Sequence, residues 1–164
     1  MGYYNPIFSY GVSRFVGDAA TAGADGFIVP DLPLEEAGEL EGECRAQALS
    51  LIPMLAPTST PERIAEATKR ATGFIYLVSL TGVTGERKAL PDGLKEFVGR
   101  VKESAAAPVA VGFGISTPEQ AAEVGQIADG VIIGSAVVKA MGSDKPIANV
   151  KKFIKEIHDV LTQA

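Results

Sequence analysis

Apolar residues gather along this chain in five short runs, at 26–30 (GFIVP), 50–55 (SLIPML), 73–78 (GFIYLV), 108–112 (PVAVG) and 129–133 (DGVII). Neighbouring positions in each run are apolar rather than alternating, which suits strands covered on both faces, as in a parallel sheet jacketed by helices. Their starts lie 24, 23, 35 and 21 residues apart, the spacing of repeated strand–helix units. Helical stripes fill the gaps: Val12, Phe15, Val16 and Ala19; then Ala37, Leu40 and Cys44; then Leu94, Phe97, Val98 and Val101. The last helix carries Pro146 near its start and Ile147, Val150, Ile154, Ile157 and Leu161 on an expected buried side.

Thr60 before Pro61-Glu62 and Thr117 before Pro118-Glu119 read as N-cap residues followed by proline at the first helical position. Met1 to Pro6 reads as the end of a strand running into its loop. The class is therefore α/β with parallel strands, and residues 1–164 are expected to form a single partial domain with no internal linker. A closed eight-unit barrel typically takes about 250 residues, more than this chain has.

Composition narrows the partners. Of 164 residues 46% are apolar, enough for a substantial core, and 15 basic against 20 acidic residues give a net charge of −5. That balance argues against broad binding to nucleic acid or anionic membranes, so any bound phosphate must be held locally. No stretch is long and apolar enough for a membrane span. One cysteine, Cys44, on an apolar stripe, reads as a small buried hydrophobe, and no metal site is expected; a reducing, cytoplasmic setting follows. His158, far from every strand end, reads as a surface residue, and the acidic stretch from Glu35 to Glu43 as a solvated helix face.

Ligands of parallel β/α folds collect at the C-terminal ends of strands. The segments GFGIS (Gly112 to Ser116) and GSA (Gly134 to Ala136) follow the last two runs. Glycine there leaves room for a phosphate beside backbone N–H groups at a helix start, and Ser135 adds a hydroxyl. The plainer alternative is that these glycines only permit tight turns. Between Ser79 and Pro91 lies a long glycine- and threonine-rich connection suited to a lid over a ligand.

The segments MGYYNPIF, GFIVPDLPLEEA, LAPTST, GFIYLVSLTGVTG, PVAVGFGISTPEQA and DGVIIGSAVVK, in this order and spacing, resemble successive blocks of the tryptophan synthase α subunit across nearly the whole chain. The resemblance implies a (β/α)8 TIM-barrel type of fold, truncated to about five complete C-terminal β/α units. It also implies a lyase that splits indole-3-glycerol phosphate into indole and glyceraldehyde 3-phosphate in tryptophan biosynthesis. Residue by residue, it assigns Gly85, Gly114, Gly134 and Ser135 to the substrate phosphate with Phe113 beside it, and Tyr3 to the indole side. Tyr76 becomes an accessory catalytic residue near the reacting carbon, while Thr84 and Asp31 join a closed-lid network.

The same resemblance implies no cofactor in this subunit, since pyridoxal phosphate belongs to a partner β subunit that docks near Asn5, Pro6 and Pro33. The family's principal catalytic glutamate and aspartate have no counterpart here. Acid and base groups are indispensable to the cleavage, so the chain is expected to be inactive alone, to bind its β partner weakly, and to self-associate through exposed strand edges. A reading from another class is a non-catalytic phosphate-binding or self-assembling half-barrel.

Overall fold

The computed structural model describes residues 1–78, 92–112, 114–142 and 144–162. It begins with two helices, α1 (Tyr4–Tyr10) and α2 (Val12–Thr21), and continues through β1 (Gly26–Phe27), α3 (Gly38–Ala46), β2 (Ser50–Leu51), β3 (Met54–Leu55) and α4 (Pro61–Arg70). There follow β4 (Ile75–Val78), α5 (Leu94–Lys102), β5 (Val109–Gly112), α6 (Pro118–Gly125), β6 (Gly130–Ile132), α7 (Ser135–Met141) and α8 (Pro146–Leu161). Every strand pairing is parallel, β1 with β2 and then β3, β4, β5 and β6 in order. This is part of a (β/α) barrel wall with its helices on one side.

The run at 50–55 is two strands rather than one. Ile52 donates its N–H to the Phe27 carbonyl on one side, and Pro53 accepts from the Tyr76 N–H on the other. Proline has no N–H to give, so the run leaves β1 and joins β4 at this residue. The other strands are shorter than their apolar runs but centred on them. The chain start also departs from expectation: Gly2 donates to the Ile28 carbonyl in strand-like fashion, but helix α1 begins at Tyr4 with no intervening loop.

In β4 and β5 burial alternates. Ile75, Leu77, Val109 and Val111 are buried, whereas Tyr76, Val78, Ala110 and Gly112 are only half-buried. The buried face joins Phe97, Val98 and Val101 of α5, Ile64 and Ala67 of α4, and Ala121 and Val124 of α6 in one cluster. A second cluster gathers Val12 and Val16 of α2, Phe27, and Leu40 and Cys44 of α3. Thr60 and Thr117 accept from the Arg63 and Gln120 N–H groups and start α4 and α6 as their sequence predicts, each cap contributing about 1 kcal/mol.

Helix α8 corrects the expected buried side. It lies against α6 and α7 and packs Phe153, Ile157, Val160 and Leu161 on the core cluster, while Ile147 and Ile154 are 72% and 46% exposed. Those two stand seven residues apart on an exposed flank of the helix. The acidic stretch is corrected as well. Glu41 is not solvated: its side chain is 14% exposed and meets the guanidinium groups of Arg45 and Arg70.

Candidate functional site

The half-exposed face of the four-stranded sheet carries the candidate chemistry. Parallel register sets Met54, Tyr76, Ala110 and Gly130 side by side in one row, and Val78, Gly112 and Ile132 in another. The Tyr76 ring leans across this face onto β5: a Cβ built on Gly112 would fall 2.2 Å from the phenol oxygen. Gly112 is thus the space in which the tyrosine lies. Burial raises the Tyr76 pKa above its ordinary value, so at neutral pH the phenol keeps its proton and acts as a hydrogen-bond donor.

Just beyond β5 the chain turns through Gly114 at φ +68°, a left-handed conformation in which glycine has no steric cost. Ile115 is buried behind the turn, and the Ser116 N–H donates to the Gln120 side chain. On the neighbouring strand, Gly134 is the N-cap of α7 and Ser135 its first residue, both exposed. Among the described residues other than its chain neighbours, none has an atom within 4 Å of a Cβ built on Gly114 or Gly134. Since β5 and β6 pair directly, the two glycine turns leave the same end of adjacent strands.

The N-terminal candidates form a separate group. Asp31 follows β1 and accepts the Tyr4 N–H at 2.9 Å, so it caps the start of α1. Tyr3, the residue before that helix, is 68% exposed. The structure thus gathers Tyr76 with Gly112, Gly114 with Gly134 and Ser135 at adjoining strand ends, and Asp31 with the backbone beside Tyr3. Thr84, Gly85 and Phe113 lie outside the described residues, as does the expected lid.

Two features escaped sequence reasoning. Asp129 accepts from Lys102 at 2.7 Å and from the Val109 N–H at 2.9 Å, stapling β5 to α5 from the edge of β6; the Lys102 hydrogen bond, then that of Val109, lowers its pKa. An aspartate opening an apolar run was the signal available. The other is the set of ion pairs between α4 and the segment before it, Arg63 with Glu35 and Arg70 with Glu41. Among the described residues, no cluster of three or more His, Cys, Asp or Glu is placed to hold a metal ion, and no helix is long and apolar enough to cross a membrane.

Comparison with known proteins gives one consistent answer. A family described as tryptophan synthase alpha chain matches residues 1–163. The tryptophan synthase alpha chain of Dehalococcoides mccartyi is 48% identical over 161 residues, covering 98% of this chain and 63% of that protein. That of Geobacter sp. strain M21 is 55% identical over 139 residues, 85% of this chain and 52% of the relative. Among solved structures, Mycobacterium tuberculosis tryptophan synthase superposes with a TM-score of 0.88 at 40% identity, over 97% of this chain and 60% of that one. The Pyrococcus furiosus tryptophan synthase α2β2 complex gives 0.86 at 37%, over 96% and 64%. The chain therefore spans less than two thirds of the length of these relatives.

Proposed function

The chain belongs to the tryptophan synthase alpha chain family, and from that premise we propose that it supplies the phosphate- and indole-facing part of a site that cleaves indole-3-glycerol phosphate. The observation that carries this reading is the juxtaposition on one sheet end: Tyr76 lying over Gly112, beside the left-handed turn at Gly114 and the exposed Gly134-Ser135 start of α7. Backbone N–H groups at such glycine turns can approach a phosphate closely. The half-exposed row of Met54, Tyr76 and Ala110 offers an apolar surface for an indole ring, and Tyr3, Asp31, Thr84, Gly85 and Phe113 complete the assignment.

Cleavage is a retro-aldol step. Indole C3 takes up a proton, the side-chain hydroxyl loses one, and the C–C bond breaks to release indole and glyceraldehyde 3-phosphate. It needs a positioned acid and base. Tyr76 keeps its proton and suits donation toward the glycerol hydroxyl region, while Asp31 is engaged by the α1 backbone. Neither supplies a proton-transfer pair, so in this reading the chain binds the phosphate ester and turns it over poorly. Exposed Asn5, Pro6 and Pro33 are the proposed contacts for a β subunit, which carries the pyridoxal phosphate.

The test is calorimetric titration with glycerol 3-phosphate alongside an assay of indole release. Binding that Gly114→Val weakens at least tenfold, with indole release about 10²–10⁴-fold below that of a full-length relative, is expected. Absence of glycerol phosphate binding would overturn the phosphate assignment. Indole release at the rate of a full-length relative would overturn the claim of poor turnover.

A further inference from the structure

A hollow of about 240 Å³ lies between the strand segment 51–54, the turn 29–37 and the helices α3 and α4, sharing Asp31 and Met54 with the proposed substrate site at its edge. Its apolar wall includes Val29, Leu34, Ile52 and Met54, and two guanidinium groups, of Arg63 and Arg70, also line it. The volume falls below the ~300–1,000 Å³ usual for drug-sized ligands, which limits an occupant to one or two rings.

The charges around the hollow are not equally committed. Arg70 is locked, bonded to Glu41 through two nitrogens and to the Leu34 carbonyl through a third, with its side chain 19% exposed. Glu41 is held in turn by Arg45 as well, and Asp31 by the Tyr4 N–H. Arg63 differs. Its partner Glu35, at 2.8 Å, has a side chain 63% exposed, and an exposed pair of this kind is weak enough to exchange. The planar guanidinium is shaped to receive a carboxylate through two parallel hydrogen bonds. The carboxylates of Asp31 and Glu41 in the lining are both engaged, so among the described residues Arg63 is the exchangeable charge of this half-apolar hollow, and it favours an amphipathic anion over a neutral ring.

We propose that this hollow is a binding site for a small aromatic carboxylate, its ring body between Val29, Leu34 and Ile52 and its carboxylate on Arg63 in place of Glu35. The probe is 2-naphthoate, titrated calorimetrically into the 164-residue chain, with 2-naphthalenemethanol as the uncharged control. Naphthoate is expected to bind at least about fivefold more tightly than the alcohol. Arg63→Gln, a surface change that leaves the fold intact, should remove that preference.

Glu35→Gln gives the opposite sign. It frees Arg63 from its competitor and should tighten naphthoate binding by about two- to fivefold, the range set by an exposed ion pair, while leaving the alcohol unchanged. Ala37, 3% exposed and in the wall, is the plug: Ala37→Leu should abolish binding of both probes with the far-ultraviolet circular dichroism retained. No naphthoate binding, equal binding of both probes, weaker binding to Glu35→Gln, or binding that survives both Arg63→Gln and Ala37→Leu would each overturn the proposal.

Discussion

Around β4 and β5, Ile75, Leu77, Val109 and Val111 are sealed in a broad apolar cluster with residues of α4, α5, α6 and α8. Around β1 and β2 the cluster is smaller. There the strands pair over two residues each, and a part-buried ion pair, Arg70 on Glu41, ties α3 to α4 in the rest of the wall. Apolar burial grows with the area removed from water and needs no exact geometry, whereas a buried ion pair holds only while both partners are present. The first region can carry a half-open sheet face with a tyrosine laid across it. The second depends on a few side chains staying matched.

The largest test of that contrast is Phe97→Ala, which removes a side chain 1% exposed at the centre of the broad cluster. It should cost about 3–5 kcal/mol in urea unfolding and lower hydrogen-exchange protection in both regions. Leu40→Ala, in the smaller cluster, should lower protection over residues 1–51 while sparing β4 and β5. Equal loss everywhere would mean that the two regions are one cooperative unit.

Next in size is Arg70→Ala. It leaves Glu41, whose side chain is 14% exposed, with Arg45 as its charge partner, and should cost about 2 kcal/mol, below the full buried-pair value because Arg45 and some water remain. Cys44 reports on it. That thiol is buried in the smaller cluster, and its pKa is raised to about 11 by burial and then by Glu41 and Glu43, so at pH 8 it should resist alkylation until α3 opens. Arg70→Ala should speed labelling at least fivefold; an unchanged rate would remove the ion pair from the account of how α3 is held.

Thr60→Ala and Thr117→Ala should each cost about 1 kcal/mol by removing an N-cap at the heads of α4 and α6. Of the two, Thr60→Ala is expected to accelerate Cys44 labelling more, because α4 carries Arg70. The smallest effect is acid dependence at Asp129. Its carboxyl is lowered from 3.8 by Lys102 and Val109, so the stability it adds is present above that value and is lost as pH falls through the lower folded-state value. Asp129→Asn should flatten this acid limb by less than about 1 kcal/mol, the pair being close to half exposed. A mutant as acid-sensitive as the parent chain would discount the staple.

Much of this was legible in the residues. The parallel order of apolar runs, both Thr-Pro caps, the stripe of Leu94, Phe97, Val98 and Val101, and the burial of Cys44 are local signals that tertiary structure left unchanged. The glycine turns at Gly114 and Gly134 were visible too, since glycine marks itself wherever backbone must turn sharply or be approached closely. Reading failed where a partner distant in sequence decides. Ile147 and Ile154 carry a good helical stripe yet remain exposed, and Glu41 looks like any surface glutamate until Arg70, 29 residues away, is brought against it.

Beyond the chain start, the sequence by itself determined where the apolar strand runs and the main helices fall and which residues stand at the strand ends, because periodicity, capping and turn chemistry act within a few residues of one another. Tertiary structure alone decided that Pro53 would hand one run from β1 to β4, that Tyr76 would lie in the space left by Gly112, and that α3, α4 and the turn 29–37 would frame a hollow beside Arg63. Each of these depends on side chains and carbonyls from different strands and helices meeting at contact distance, which no local pattern encodes.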